Sequence, residues 1–420
     1  MSNLSFAGQY ILDALDWIQP GGLALDVREH FQQIIIYEDM FAPFTSANII
    51  MRDTIDIPNL YLNAGTDLIR IRVRTPSMPE VGVIDKYFHV YKLDERTQVS
   101  DRSQTYLVHL ISKENIFDQS TKISTTFRGS PEDISSIICD KYLQTDKTLL
   151  IDPTKNSINY TSNYWCPSRN LNYVAERAVG DGNLPSYLFF ENRDGFNLKE
   201  LTSFAKSKLP FMQSWHSNNY IADISSDGQV IRDISKDYQT VLDVNVDVNF
   251  DHMKDSMTGL LKTRSFTYDF ITREFGDRTA TILDSDLPIL NQQRFYQVPV
   301  VQNSGAAHMT GFSHFDSYNG AGYNSNAVNT IHKRNVIMRA FQQHKIEITV
   351  FGRTDYTVGK RASFDANKLR EFNKGSNQLE IPDNMLSGTY IVSAVRHLFT
   401  RDNKHNCKIE LMTDSIQTQT

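Results

Sequence analysis

The sequence predicts a mainly β protein with α/β insertions, and three sets of alternating apolar and polar residues support this prediction. Two sets lie near opposite ends of the chain and follow one strand plan. The third, Leu242 to Asp251, alternates strictly between apolar residues and Asp or Asn, as a half-buried strand does. A chain that carries one β-module twice can present two similar faces to a partner, so the pattern favours assembly over catalysis.

Each of the two modules consists of three alternating segments joined by hydrophilic turns, which predicts antiparallel strands. The segments of the first module are Asp67–Arg74, Lys86–Lys92 and Thr105–Ile111. Those of the second module are Lys345–Phe351, Gly388–Arg396 and Cys407–Met412.

Length and composition indicate a folded protein of several domains. The chain has 420 residues, which is more than one hydrophobic core usually organises, and 40% of them are hydrophobic. Acidic residues outnumber basic ones by 49 to 43, and the net charge of −6 implies no general affinity for nucleic acid or anionic lipid. No signal peptide is predicted, because a basic n-region is missing and Asp13 and Asp16 interrupt the apolar residues near the N-terminus. No membrane-spanning segment is predicted, because no apolar run approaches about 20 residues.

The three cysteines, Cys139, Cys166 and Cys407, are far apart and lack C-x-x-C spacing. Neither a disulfide framework nor a zinc site is therefore indicated. Reduced thiols in a protein made in the cytoplasm are expected.

The first quarter of the chain is divided into a leading helix and a β-domain. Ile11, Leu12, Leu15 and Ile18 fall on one helical face, which predicts a helix within residues 1–25 that ends at Pro20-Gly21-Gly22. Residues 26–118 follow as the first β-module, with an isoleucine-rich strand at Phe31 to Tyr37 and another strand at Ala47 to Arg52.

Residues 119–206 are predicted to form a small α/β unit. Ser130-Pro131 begins one helix, with a capping serine and proline at the first helical position. A second, amphipathic helix follows Pro167. Asp194-Gly195 predicts a hairpin turn between two short strands.

Residues 251–338 are predicted to be an insertion, residues 339–416 the second β-module and residues 417–420 a tail. Gly, Asn and Ser accumulate from Gln302 to Thr330, which indicates an exposed loop, and Ile331 to Phe341 has a helical pattern.

Four segments resemble binding or catalytic sites, and each has a simpler structural interpretation. Asp243-x-Asn245-x-Asp247 begins like a calcium loop, but Val248 and Lys254 stand where glycine and glutamate are required. Gly320-Ala-Gly322 lacks the rest of a nucleotide-binding fingerprint. The other two candidates are a metal site at His308, His314 and Asp316, and an acid/base pair at Glu191 and Asp194. Chance proximity and turn chemistry account for these two, so no catalytic residue, cofactor or metal ligand is predicted.

An arginine stripe is the best lead for a contact between subunits. Arg70, Arg72 and Arg74 lie on one face of a strand, where their charges repel unless carboxylates pair with them. These carboxylates belong either to neighbouring strands, with the stripe solvated, or to another subunit. The interface candidates are Arg70, Arg72, Arg74, Ile346, Ile348 and Val350.

Four segments resemble the baseplate hub of contractile phage tails, a family related to the hub part of type VI secretion spikes. They are Trp165-Cys166-Pro167 before its helix, Tyr187–Glu191 with Gly195-Phe196, Gly352–Gly359, and Gly388–His397. In order and spacing the resemblance extends from about residue 26 to 416.

The resemblance implies a structural virion protein with two tube-like antiparallel β-barrel domains and smaller accessory domains. Three chains would form a pseudo-sixfold ring that joins the sixfold tail tube, or its initiator protein, to a threefold central spike. The tape measure protein would be a further partner, and DNA would pass through the ring without sequence-specific binding. Residues 207–250 are a candidate to complete the first barrel, and residues 119–206 to support the second.

Two other functions remain open at this point. One is a glycan-cleaving tail enzyme that uses Glu191 or a carboxylate of the insertion. The other is a receptor- or carbohydrate-binding module, with exposed aromatic residues around Tyr318 and Tyr323.

Overall fold

A computed structural model provides the fold. The residues that it describes are 6–60, 62, 65–76, 78–180, 183–206, 211–217, 223–224, 230–231, 234–248, 251–268, 273, 275–284, 287–312, 325–366 and 383–417. The predicted metal and glycine motifs at His314, Asp316, Gly320 and Gly322, and the aromatic pair Tyr318 and Tyr323, lie outside these ranges.

The first part of the chain is a run of antiparallel strands with two short helical turns, at Ile57–Leu60 (α1) and Pro79–Val81. The strands are β1 (Ile11–Ile18), β2 (Ala24–Asp26), β3 (Phe31–Asp39), β4 (Ser46–Asp53), β5 (Leu68–Arg74), β6 (Val83–Ser100) and β7 (Ser103–Ser112).

The predicted N-terminal helix is wrong, because Ile11–Ile18 is strand β1 and pairs antiparallel with β5. Leu15 and Trp17 are both fully buried, so the buried side chains recur with the period of two that a strand requires. Trp17 Nε1 donates a hydrogen bond to Asp67 Oδ2 at 2.8 Å. A β-bulge between Leu12 and Ala14 places Leu12 and Leu15 on the same face of the strand, and this spacing of three residues resembles that of a helix.

The α/β unit predicted between residues 119 and 206 is present as helices and short strands around a core of their own. Its elements are α2 (Glu114–Ser120), β8 (Thr126–Gly129), α3 (Pro131–Ile138), a π-helical turn (Cys139–Leu143), β9 (Leu149–Ile151), β10 (Ile158–Thr161), α4 (Pro167–Arg177), β11 (Tyr187–Asn192), β12 (Gly195–Glu200) and α5 (Leu201–Lys206). Ser130 caps α3 by accepting a hydrogen bond from the Asp133 amide, as predicted.

The remainder of the chain contains the second set of sheet strands and a three-stranded insertion covered by a long helix. Its elements are β13 (Ser214–His216), β14 (Asp223–Ile224), β15 (Val230–Ile231), α6 (Ile234–Asp237), β16 (Val241–Val248), α7 (His252–Thr258), β17 (Lys262–Tyr268), β18 (Phe275–Thr281), α8 (Val298–Asn303), β19 (Ala307–Phe312), α9 (Ser325–Gln343), β20 (His344–Phe351), β21 (Arg361–Asp365), β22 (Gly388–Thr400) and β23 (Lys404–Thr413).

The loop predicted from Gln302 to Thr330 is only partly correct. Strand β19 lies within it and pairs parallel with β17, and helix α9 begins at Ser325. Every helix in the described part of the chain is too short or too polar to span a lipid bilayer.

Six strands form the ring of the second barrel in the order β16-β20-β23-β22-β21-β13, and four of them, β20 to β23, come from the second module. The ring closes because His216 of β13 bridges Thr240, the residue before β16, and the His216 amide donates to Gln239 O at 2.8 Å. Closing a sheet in this way leaves no long unpaired edge.

Strands β13 and β16 therefore complete the second barrel, and the expectation that residues 207–250 complete the first barrel is wrong. Strand β16 pairs antiparallel with β20 along its length. A bulge between Val241 and Asp243 leaves Leu242 exposed, although the alternation had predicted Leu242 on the buried face.

The first barrel consists of β1-β5-β6-β7-β4-β3, and the tip of the β22–β23 hairpin closes it. Residues 394–400 of β22 pair with β3. On the other side of the hairpin, Lys404 bridges Gln9, and the His405 amide donates to Gly8 O at 2.6 Å. The β22–β23 hairpin is thus shared by both barrels, and we call it the shared hairpin.

The strand orders of the two modules differ in space. In the first module β5, β6 and β7 pair in sequence order, whereas in the second β23 lies between β20 and β22. Alternation in a sequence identifies strands but not their neighbours, so the common strand plan did not predict this difference.

Phe399 provides a test of the shared hairpin. It is fully buried in the core of the first barrel, with its ring centroid 5.1 Å from that of Tyr10. We expect Phe399→Ala to lower the free energy of unfolding by about 3–5 kcal/mol, measured by denaturant titration followed by fluorescence. Leu398→Ala, at the half-buried neighbouring position, is the control and should cost clearly less. Equal losses would contradict the role of the tip in closing the first barrel.

Candidate functional site: the junction of the two barrels

The segment from Gly352 to Gly359 lies where both barrels and the α/β unit meet. Thr354 Oγ1 hydrogen-bonds Thr75 Oγ1 at 3.2 Å and Gly82 O at 2.9 Å, which joins the segment to the first barrel. Arg193, in the turn between β11 and β12, donates to Thr354 O and to Val81 O at 2.9 and 3.0 Å. One arginine of the α/β unit therefore contacts both barrels.

Gly359 is required for this close approach. Its φ of +75° is one that glycine adopts at little cost, and a Cβ atom would stand 2.7 Å from the Phe190 ring. Gly359 thus allows the segment to pack closely against β11 of the α/β unit.

A buried group of charges lies beside this segment. Glu191 on β11 is fully buried, and its Oε1 atom is 3.3 Å from Lys86 Nζ and 2.8 Å from Lys147 Nζ. The Thr45 amide donates to Glu191 Oε2 at 3.0 Å, and Lys147 also pairs with the buried Glu114 at 2.6 Å. These contacts connect β6 of the first barrel to the α/β unit.

The carboxyl of Glu191 stays ionised well below neutral pH. Burial alone would raise the pKa of Glu191, but the Lys86 and Lys147 charges and the hydrogen bonds from Lys147 and Thr45 lower this pKa to about 2. The pKa of Asp194 is also lowered: burial opposes this shift, and Arg193 and Lys360 outweigh it.

This arrangement does not support Glu191 and Asp194 as an acid/base pair. Carboxylate-dependent glycosidases need a carboxyl whose pKa is raised so that it can donate a proton. Here both pKa values are lowered, and Glu191 is held by two ammonium groups. A cleft of about 330 Å³ opens beside the pair, lined mainly by polar and charged side chains. The group is therefore a structural ion cluster.

Glu38 on β3 adds a further buried carboxyl to the junction. Its Oε2 atom accepts hydrogen bonds from Thr357 Oγ1 at 2.5 Å and from the Val358 amide at 3.3 Å. Burial raises the pKa of Glu38, against the opposing charge of Lys86. Sequence reasoning missed Glu38, Lys86 and Lys147, because they come together only through contacts between distant segments.

The arginine stripe has partners within the chain. Arg70 forms two hydrogen bonds with Asp85 on β6, at 2.9 and 2.7 Å, and Arg74 lies 3.0 Å from Asp13 on β1. Arg72 lies 3.8 Å from Asp85, and its side chain is 45% exposed. The local carboxylates that the solvated interpretation requires are therefore present, and the stripe remains on the surface.

The prediction that three residues of β20 lie at a subunit interface is wrong. Ile346, Ile348 and Val350 are fully buried in the core of this chain, because the alternating face of β20 points into the second barrel. Their side chains are not available to another subunit.

A further buried cluster, which contains His397, His405 and Cys407, lies on the shared hairpin. Each offers a nitrogen or sulfur atom that could bind a metal ion. Register provides the signal that sequence reasoning missed, since His397 lies opposite Cys407 and His405 lies two residues before Cys407 on the same strand face.

Solved structures show what this arrangement is similar to. The 43 kDa tail protein of prophage MuSo2 from Shewanella oneidensis matches with a TM-score of 0.55 and 9% identity, over 97% of this chain and 99% of that chain. The tail protein from Neisseria meningitidis MC58 matches with a TM-score of 0.54 and 9% identity, over 97% of both chains. The chain has the fold of these tail proteins. The phage-tail fold expected from the sequence is thereby confirmed.

A weaker similarity is to the c3393 protein of E. coli, described as a component of the type VI secretion system. Its TM-score is 0.45 at 7% identity, over 96% of this chain and 76% of that chain. No protein-family model and no curated protein sequence matches the chain.

Glu191→Gln tests the structural interpretation of the ion cluster. At neutral pH the substitution leaves the buried Lys86 and the half-buried Lys147 without their shared partner and should cost roughly 3–5 kcal/mol of unfolding free energy. The folded pKa of about 2 lies below the ordinary value of 4.5, so the contribution is full above pH 4.5 and is lost as pH falls towards 2. Denaturant titrations of both proteins between pH 7 and pH 3 should therefore show their difference shrinking.

The control is Glu347→Gln, which breaks a surface pair with Lys408 (2.7 Å) and should cost about 0–1 kcal/mol. The structural interpretation would be contradicted if the purified chain hydrolysed murein and Glu191→Gln abolished this activity without loss of stability. That result would favour the enzyme.

Proposed function

We propose that this chain is the structural hub of a contractile phage tail baseplate, without enzymatic activity of its own. In this proposal three copies form a closed ring with threefold symmetry. The two barrels of each copy provide six similar positions around the axis. The ring joins the sixfold tail tube to a threefold central spike and surrounds the channel through which DNA leaves the virion.

The observation that supports the proposal best is the pair of barrels joined edge to edge within one chain. Strand β22 of the second barrel pairs with β3 of the first, so thirteen strands form one continuous sheet. Two barrels held side by side at a fixed angle are the unit that a pseudo-sixfold ring of three chains requires. The full-length similarity to phage tail proteins supports the same role.

A candidate contact between subunits lies on the outer face of the first barrel. The arginine stripe forms its centre, and the Arg70 guanidinium lies over the Tyr87 ring, 5.5 Å from its centroid, with Tyr87 41% exposed. Arginine and tyrosine are enriched at protein interfaces. The pairs with Asp13 and Asp85 keep the three arginines extended on this face before a partner binds.

The oligomeric state tests the hub proposal. We expect multi-angle light scattering and native mass spectrometry to show a trimer, either of the chain alone or in complex with its spike protein. Electron microscopy of that trimer should show a ring with six barrel positions. A strict monomer under both conditions would contradict the proposal.

Arg72→Glu tests the proposed contact surface. We expect it to shift the equilibrium from trimer towards monomer, with less than about 1 kcal/mol of change in monomer stability, because the Arg72 pair is exposed. Arg401→Glu is a matched control, since Arg401 is 50% exposed and pairs with Glu29 at the same 3.8 Å. If both variants changed trimer content equally, the effect would be one of net charge and the arginine stripe would not be the contact.

A further inference from the structure

His397, His405 and Cys407 form a buried triangle on the shared hairpin. His397 Nδ1 lies 3.0 Å from His405 Nε2 and 3.1 Å from Cys407 Sγ, and the third side, from Cys407 Sγ to His405 Nε2, is 3.3 Å. All three side chains are at most 1% exposed. Two nitrogens and one sulfur thus converge at the point where the hairpin passes from one barrel to the other.

Without a metal, the triangle is held only by weak hydrogen bonds that involve sulfur. His397 Nε2 lies 3.0 Å from the carbonyl oxygen of Tyr356 and must donate to it, which leaves His397 Nδ1 as an acceptor with one lone pair. Two groups, the Cys407 thiol and His405 Nε2, approach that single lone pair. The thiol can donate to this lone pair while its sulfur accepts from His405 Nε2, but a thiol is only a weak donor and a weak acceptor.

The second nitrogen of His405 makes the arrangement more costly. His405 Nδ1 is buried and has no hydrogen-bond partner among the described residues. An unpaired buried polar atom costs about 1–3 kcal/mol. This cost is the same with or without a metal, because a metal would bind His405 through Nε2. What favours a metal is the convergence of three donor atoms at one buried point.

We propose that His397 Nδ1, His405 Nε2 and Cys407 Sγ together bind one thiophilic d¹⁰ cation, Zn²⁺ or Cu⁺. A cation about 1 Å out of the plane of the three atoms stands about 2.0–2.3 Å from each, the usual length of Zn–N and Zn–S bonds. It receives all three lone pairs, and binding releases the thiol proton of Cys407 to solvent. Imidazole with thiolate is the ligand set that selects these borderline and soft metals.

The surroundings fit a metal centre in two respects. The hydrogen bond from His397 to the Tyr356 carbonyl fixes the ring orientation and tautomer in the way that outer-shell partners of metal-bound histidines do. All three ligand side chains are also shielded from water, so solvent does not compete for the metal.

The position of His405 is fixed by the backbone around it. A Cβ atom on Gly352 would stand 2.4 Å from the His405 ring, and one on Gly8 would stand 2.7 Å from His405 O. The Phe399 ring stacks on His405 with centroids 4.1 Å apart. A metal bound here would hold β22 to β23 at the tip that closes the first barrel, so it is a structural centre and does not depend on the hub proposal.

The test is the metal content of the full-length chain, made with an affinity tag that contains no histidine. Because the site is fully buried, the protein is unfolded with chelator and refolded with reductant and one probe at a time, Zn²⁺ or anaerobic Cu⁺. We expect mass spectrometry of the desalted protein to find about one ion per chain with at least one probe, and a higher thermal midpoint than after refolding without metal. Refolding with Co²⁺ should give the thiolate charge-transfer absorption of a bound sulfur ligand.

Cys407→Ala is the variant of choice, because a buried cysteine without metal packs as a small apolar residue and the chain should still fold. It should bind less than about one tenth of an ion per chain and lose both the Co²⁺ absorption and the metal-dependent rise in midpoint. Cys166→Ala, which changes a thiol outside the cluster, should keep all three properties. Wild-type protein that refolds with neither metal bound, or Cys407→Ala protein that binds as much as wild type, would overturn the proposal.

Discussion

The fold depends on one β-hairpin that belongs to two barrels. Its lower part lies between β20 and β21 in the second barrel, and its tip fills the gap between β3 and β1 in the first. If the hairpin detached, each ring would gain two unpaired edges, which is the state that closed sheets avoid. The barrels are therefore expected to unfold together, although each has its own hydrophobic core.

The buried charges at the junction also link the parts of the chain that the shared hairpin joins. Buried ion pairs add little net stability when compared with apolar packing, but removing one partner is costly, so they favour a single arrangement of the parts that they join. Glu191 and Lys86 link the α/β unit to the first barrel, and Glu38 links the first barrel to Thr357 beside the second. We infer that this network fixes the angle between barrels that hydrophobic contacts alone would leave variable.

Local features of the fold could be predicted from the sequence, whereas contacts between distant segments could not. The Ser130 cap, the turn before Gly195 and the strand at Ile34 to Ile36 each depend on neighbouring residues, and all three were predicted correctly. The position of β23 between β20 and β22 depends on which edges meet in space, and alternation does not encode this. The cluster of His397, His405 and Cys407 was missed for the same reason, because cysteine spacing tests only for ligands that are close in sequence.

An adaptor between two symmetries needs barrels that are alike in backbone and different in surface. In the first barrel, strand β5 carries the arginine stripe on its outer face. In the second barrel, the corresponding strand β20 carries Lys345, Glu347 and Thr349. Lys345 pairs with Glu410, and Glu347 pairs with Lys408. Such a difference allows a neighbouring subunit to distinguish the two barrels. A ring of three chains requires this distinction, because each first barrel must meet a second barrel. A ring of six identical barrels does not require it. The shared hairpin then provides what surface chemistry cannot, a fixed rotation from one barrel to the next. In the proposed hub, the geometry of the ring is therefore set inside each chain before any subunit meets another.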